Sequence, residues 1–144
     1  LLRLYPPAGP LDQAGRQRWQ LYGVDCSGLL YAATDGFTPR NTSSLAGYGS
    51  PVAVAGRPVR QIADRLAPLD LIVWPGHVLV VLDRERVIES RLDCAHPERG
   101  VVISSLPERL KGIMATRRPV DRLSADPGTA AREFVVRRWF SGAS

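Results

Sequence analysis

Two residues in this sequence have the chemistry of a nucleophile and its base. Cys26 stands in Asp25-Cys26-Ser27-Gly28-Leu29-Leu30, and about fifty residues later His77 opens the run His77-Val78-Leu79-Val80-Val81-Leu82. A thiol attacks carbonyl carbon as its thiolate, and an imidazole within reach is the base that makes the thiolate. The same imidazole can then return the proton to a leaving amine. Such a histidine needs a third polar group to fix its tautomer and ring orientation. Each residue has a bland role beside this one: a buried cysteine packs as a small apolar side chain, and a histidine at a strand start can be structural.

The elements around the pair are those the chemistry requires. Leu29, Leu30, Ala32 and Ala33 suit a buried helix from Cys26 to Thr34, with Asp25 as N-cap and Asp35-Gly36 as its end. A cysteine in the first turn lies among unpaired backbone amides, which favour the thiolate, and its own amide is placed to hold a developing oxyanion. Asp70 to Trp74 reads as a strand closed by Pro75-Gly76, His77 to Leu82 as a second, Val87 to Arg91 as a third and Val101 to Ile103 as a fourth. Side chains alternate along a strand, so His77, Leu79 and Val81 share a face, as do Val87, Glu89 and Arg91 on the next. A three-residue connection sets Leu79 opposite Glu89 and turns Glu89 toward the histidine's face; a four-residue one turns Ser90 there. Glu89 is the preferred third residue, because the other register would point its carboxylate at the apolar side of the sheet.

Elsewhere, the stretch from Leu11 reads as a short helix leading to Trp19, and residues 37–45 as a loop running into a short helix. An extended piece is expected near Val52 to Val54, and helical turns over Val59 to Leu66 and over Leu106 to Leu110, the latter opened by Ser105 and Pro107. Ile113 to Arg117 is expected as a last strand, residues 121–128 as a linker, and Thr129 to Phe140 as a terminal helix with Phe134, Val135, Trp139 and Phe140 apolar. The order, helix first and then an antiparallel sheet, predicts an α+β domain over residues 1–120, with 121–144 as linker and helix.

With 144 residues, 44% of them hydrophobic, the chain can build one domain with a core. No apolar run approaches the ~20 residues of a membrane span. The start at Leu1 rather than Met suits a mature or trimmed product whose export signal has been removed. The net charge of +5 suits an acidic partner such as a cell-wall polymer, nucleic acid or an anionic membrane. The arginines are scattered, among them Arg16, Arg18, Arg57, Arg60, Arg65, Arg117, Arg118, Arg137 and Arg138, which reads as a solvated basic surface rather than a nucleic-acid site. Two cysteines, Cys26 and Cys94, are too few for a disulfide scaffold, and with two histidines they do not make a metal site, so neither metal nor cofactor is expected. A Cys26–Cys94 disulfide would disable the nucleophile.

The order of these segments resembles the NlpC/P60 cysteine peptidases. Gly23-Val24-Asp25-Cys26-Ser27-Gly28-Leu29 is similar to their nucleophile motif. Leu69-Asp70-Leu71-Ile72-Val73-Trp74 resembles their Gly-Asp-Leu strand start with Leu69 in place of the glycine, and His77-Val78 matches their histidine strand. Pro39-Arg40-Asn41-Thr42-Ser43 resembles the Arg-Thr/Ser segment after the nucleophile helix, and the whole resemblance spans roughly residues 20–105.

The resemblance implies a papain-like α+β core that hydrolyses amide bonds of bacterial peptidoglycan stem peptides, typically between D-γ-glutamate and a diamino acid. Cys26 would be the nucleophile, His77 the base and Glu89 the third polar residue, where the family usually carries His, Asn or Gln. Asp25 and Ser27 match positions that help hold the substrate's amino end. The family's Tyr-x-Trp-Gly-Gly motif is replaced by Arg18-Trp19-Gln20-Leu21-Tyr22-Gly23, so Tyr22 is the local tyrosine for a substrate-lining role, with core packing as its other reading. The implied protein is a periplasmic or secreted monomer, a cytoplasmic location being also compatible. Two other functions fit the same residues: a papain-like thiol acyltransferase or hydrolase of other amides and thioesters, and a non-catalytic cell-wall-binding module.

Overall fold

The computed structural model describes residues 26–91 and 100–140. The expectations for Leu11, Trp19, Tyr22, Asp25 and Cys94 lie outside the described residues.

Helix α1, Cys26–Ala33, is followed by α2, Thr42–Leu45, and by the short strand β1, Ser50–Pro51. The end of α1 lies where expected. Asp35 and Gly36 take φ of 53° and 82°, and their amides reach back to the carbonyls of Ala32 and Tyr31 at 3.2 and 2.8 Å. That is the paired-bond stop that a left-handed residue makes possible. Asn41 caps α2 by accepting the Ser44 amide at 2.8 Å.

Helix α3, Val59–Arg65, precedes a meander of β2, Leu71–Trp74, β3, His77–Val81, β4, Arg86–Arg91, and β5, Gly100–Ser105. Helix α4 covers Leu106–Met114, β6 Arg118–Pro119, α5 Pro127–Ala130 and β7 Glu133–Arg138. The strands run in the order β1-β7-β2-β3-β4-β5 as an open antiparallel sheet, with β6 pairing β7 in parallel. The fold is thus α+β. Among the described residues no helix is long and apolar enough to cross a membrane.

Both faces of the sheet are covered. Ile72, Trp74, Leu79, Val81, Val87, Phe134 and Val136 pack against Leu106, Leu110 and Ile113 of α4 and Ile62 of α3. On the opposite face Leu71, Val73, Val78, Val80 and Val135 pack with Leu30 of α1 and Leu45 of α2.

Three expectations are corrected. Ile113 lies in α4 rather than in a last strand, because Leu106, Leu110 and Ile113 recur at the spacing of one helix face and all three are buried. The segment expected as a terminal helix forms β7, inserted between β1 and β2, where Phe134, Val135 and Val136 are buried alternately on both faces. Residues 121–128 are packed rather than a loose linker: the Asp121 carboxylate accepts the amides of Val54 and Ala55 at 2.8 and 3.0 Å, and Ser124 donates its amide and hydroxyl to Glu133. The extended piece near Val52 begins two residues earlier, with the Val52 amide continuing the ladder to the Val136 carbonyl at 3.0 Å.

Several of the scattered arginines are bound into the fold. Arg138 forks onto the buried Asp70 carboxylate at 2.8 and 2.7 Å, Arg118 meets buried Glu133 at 2.6 Å, and Arg137 donates to the carbonyls of Gly47, Tyr48 and Gly49. Asp70 also accepts the Ala67 amide, so the carboxylate of the Leu-Asp-Leu segment ties the turn before β2 to the end of β7.

Candidate active site

The two-residue hairpin Pro75-Gly76 sets His77. Pro75 suits the first central position of a tight turn and Gly76, at φ 93°, the second, where only a positive φ closes the turn. Trp74 then pairs directly with His77, and the two rings lie 5.1 Å apart. The turn also lies against α2 and the start of the Cys26 helix. The Gly76 amide donates to the Thr42 hydroxyl at 3.2 Å, and the Gly76 carbonyl lies 3.7 Å from Sγ of Cys26.

Cys26, a free cysteine of intermediate exposure, opens α1, which packs on β3 and β4. Its thiol donates to the Gly76 carbonyl, and the adjacent His77 imidazole is near enough for each group to shift the other's ionisation. Burial pushes the thiol pKa up, but the His77 ring beside it, the imidazolium charge and the amides of Val78 and Ser27 outweigh it and leave the thiol more acidic than an ordinary cysteine. The imidazole shifts the other way. Burial pushes it down, and the adjacent Cys26 and Glu89 together with their negative charges carry it above its ordinary value. The opposed shifts are those of a pair that exchanges one proton and favours thiolate with imidazolium.

Glu89 completes the line. Val81 pairs with Val87 and Val80 with Ile88, and continuing that register sets Leu79 opposite Glu89, the three-residue case. The carboxylate therefore shares the face of His77, and its Oε1 lies 3.4 Å from Nε2 of the ring. That is longer than a good hydrogen bond, as catalytic contacts often are without substrate. Ser90, also buried, belongs to the opposite face with Ile88.

The residues that hold Glu89 were not foreseen. The side chain is 1% exposed, and Arg109 forks onto it from α4, Nε to Oε2 at 2.8 Å and Nη2 to Oε1 at 3.1 Å. Arg91, two residues along β4 and so on the same face, donates Nε to Oε1 at 2.7 Å. Burial would raise this carboxyl pKa, but the bonds to His77, Arg109 and Arg91 lower it to about 2. Trp74 lies beneath the cluster, with the Arg109 and Arg117 guanidinium carbons 5.8 and 4.6 Å from its ring centre. Arg91 was legible by its alternation with Glu89; the twenty-residue gap to Arg109 hides that partner from local pattern.

Ser27 is buried in the first turn of α1, where its hydroxyl donates to the Arg40 carbonyl at 2.6 Å and accepts from the Arg40 guanidinium at 2.9 Å. It fastens the helix to the loop containing Arg40. Leu69, in the place of the family's glycine, takes φ 72°, a left-handed conformation glycine adopts without strain.

The arrangement supplies a thiol made more acidic, a proton acceptor beside it and an ionised carboxylate behind that acceptor. These are the parts needed for acyl transfer through a thioester. No protein-family model matches the chain, and no curated protein shows significant similarity to it.

Proposed function

We propose that this protein is a papain-like thiol hydrolase of the NlpC/P60 type, cleaving amide bonds in peptidoglycan stem peptides. The observation that carries the reading is the placing of the Cys26 thiol against the Gly76 carbonyl, beside His77, with the buried carboxylate of Glu89 on the other side of the ring; the opposed pKa shifts of Cys26 and His77 agree with it. The segment order described above supplies the substrate class, the D-γ-glutamyl–diamino acid bond. A periplasmic or secreted location follows from that substrate, and the net charge of +5 favours approach to an anionic wall polymer.

In this mechanism the Cys26 thiolate attacks the amide carbonyl carbon and a C–S bond forms. The imidazolium of His77 gives its proton to the amide nitrogen, the C–N bond breaks and the amine leaves. Water then loses a proton to His77 and attacks the thioester. The C–S bond breaks, and thiolate and imidazolium are restored. Glu89 holds the ring while its charge state changes.

Digestion of defined muropeptides, followed by mass spectrometry, tests the reading. Wild type is expected to release the fragments of one amide cleavage, and Cys26→Ala to release none while keeping the wild-type circular dichroism. Intact muropeptides after prolonged incubation with folded wild type would refute the substrate assignment.

A further inference from the structure

Glu89 presents a charge problem. A neutral acceptor orients an imidazole without altering its affinity for a proton, whereas a buried carboxylate at the same position also holds the imidazolium form. That form must give its proton to the leaving amine in each cycle, so an uncompensated carboxylate hinders the step the histidine performs. The cluster contains the compensation. Arg109 reaches the carboxylate from α4 with two hydrogen bonds and Arg91 with one from β4, so one negative charge is met by two positive ones. Of the two, Arg109 is the better placed to fix the carboxylate, because its fork engages both oxygens while Arg91 engages one.

We propose that Arg109 is a positioning residue of this site: it fixes the Glu89 carboxylate and offsets part of its charge, so that Glu89 orients His77 while holding its proton less tightly than an uncompensated carboxylate would. The inference rests on the Cys26–His77 pair of the proposed function but not on the identity of the substrate. Among the described residues, the charged and titratable groups around His77 are Cys26 from α1 and Glu89 from β4, with Arg91 of β4 and Arg109 of α4 on the Glu89 carboxylate and Arg117 over the uncharged ring of Trp74.

Removal of a positive charge raises the pKa of every nearby group. In Arg109→Gln, Arg91 still holds Glu89 in place, so both thiol and imidazole are expected to titrate at higher pH. Iodoacetamide alkylation of Cys26 in the full chain, followed from acid to alkaline pH, reads this without any substrate. Wild type is expected to show a reactive limb below the ordinary thiol range. Arg109→Gln should move the midpoint of that limb upward by about 0.5–1 pH unit, and Arg109→Lys, which keeps the charge, should leave it near wild type. The double variant Glu89→Gln/Arg109→Gln loses one charge of each sign and should return the midpoint toward wild type. Arg91→Gln, expected to move in the same direction as Arg109→Gln, keeps the test open should Arg109 variants fail to give the wild-type circular dichroism.

Superimposable profiles for wild type and both Gln variants overturn the proposal, as does a Lys variant displaced as far as Arg109→Gln. A wild-type profile like that of an ordinary thiol overturns both this inference and the catalytic pair. Displaced profiles in a protein that leaves muropeptides intact sustain the inference and remove only the substrate assignment.

Discussion

Glu89 is the residue whose ionisation bears most on both chemistry and stability. Its carboxyl is held down at about 2 by partners that exist only in the folded chain. In the unfolded chain it takes up a proton near the ordinary value of about 4, before the folded form does. The depressed folded pKa therefore contributes stability that is fully present above that ordinary range and is lost as pH falls from about 4 toward 2. Thermal denaturation from pH 6 to pH 2 is expected to show a steeper loss of Tm below pH 4 in wild type than in Glu89→Gln. At neutral pH, Glu89→Ala leaves two guanidinium groups facing each other without their carboxylate. Because both are partly exposed to water, the cost is expected at about 2 kcal/mol in urea denaturation rather than the larger value of a fully buried broken pair.

At the scale of elements, the Pro75-Gly76 hairpin joins the cysteine helix to the histidine strand. A Cβ at Gly76 would meet nothing, so space is not what requires glycine; its φ of 93° is. Gly76→Ala is expected to cost about 1 kcal/mol and, since the Gly76 amide and carbonyl face Thr42 and Cys26, to slow Cys26 alkylation at neutral pH. An unchanged alkylation rate would show that the turn does not position the thiol. The same elements show which signals were local. The alternation along β3 and β4 was enough to choose Glu89 over Ser90, because each strand has a definite face and the connection is short. In β7 that signal vanishes, since Phe134 and Val136 are buried on one face and Val135 on the other. A strand covered on both sides reads as an unbroken apolar run, and Phe134, Val135, Trp139 and Phe140 then mimic the spacing of a helix. The early end drawn for α4 has a similar cause. Ile113 was read into a strand, yet its burial on the face of Leu106 and Leu110 continues the helix to Met114.

For the whole molecule, the position of β7 decides where the domain ends. A catalytic unit of residues 1–120 would keep the meander that carries His77 and Glu89 but lose the strand lying between β1 and β2. Phe134, Val135 and Val136 are each at most 1% exposed, and burying such side chains contributes about 1.5–3 kcal/mol apiece. Their sum is comparable with the 5–15 kcal/mol that keeps a typical domain folded. The loss of Arg138 would also leave the Asp70 carboxylate without its fork, and the loss of β7 would open the edge of β2, which carries Trp74 into the Pro75-Gly76 turn. A chain truncated after Val120 is therefore expected to show no cooperative thermal transition by circular dichroism, and its Cys26 to be alkylated with the pH profile of an ordinary thiol. A sharp transition in the truncated chain, with the low-pH alkylation limb retained, would mean that β7 adds to a sheet already able to stand alone. The burial pattern argues the reverse: the sequence-distant strand β7 is an interior strand, covered on both faces, of the sheet on which the thiol–imidazole pair depends.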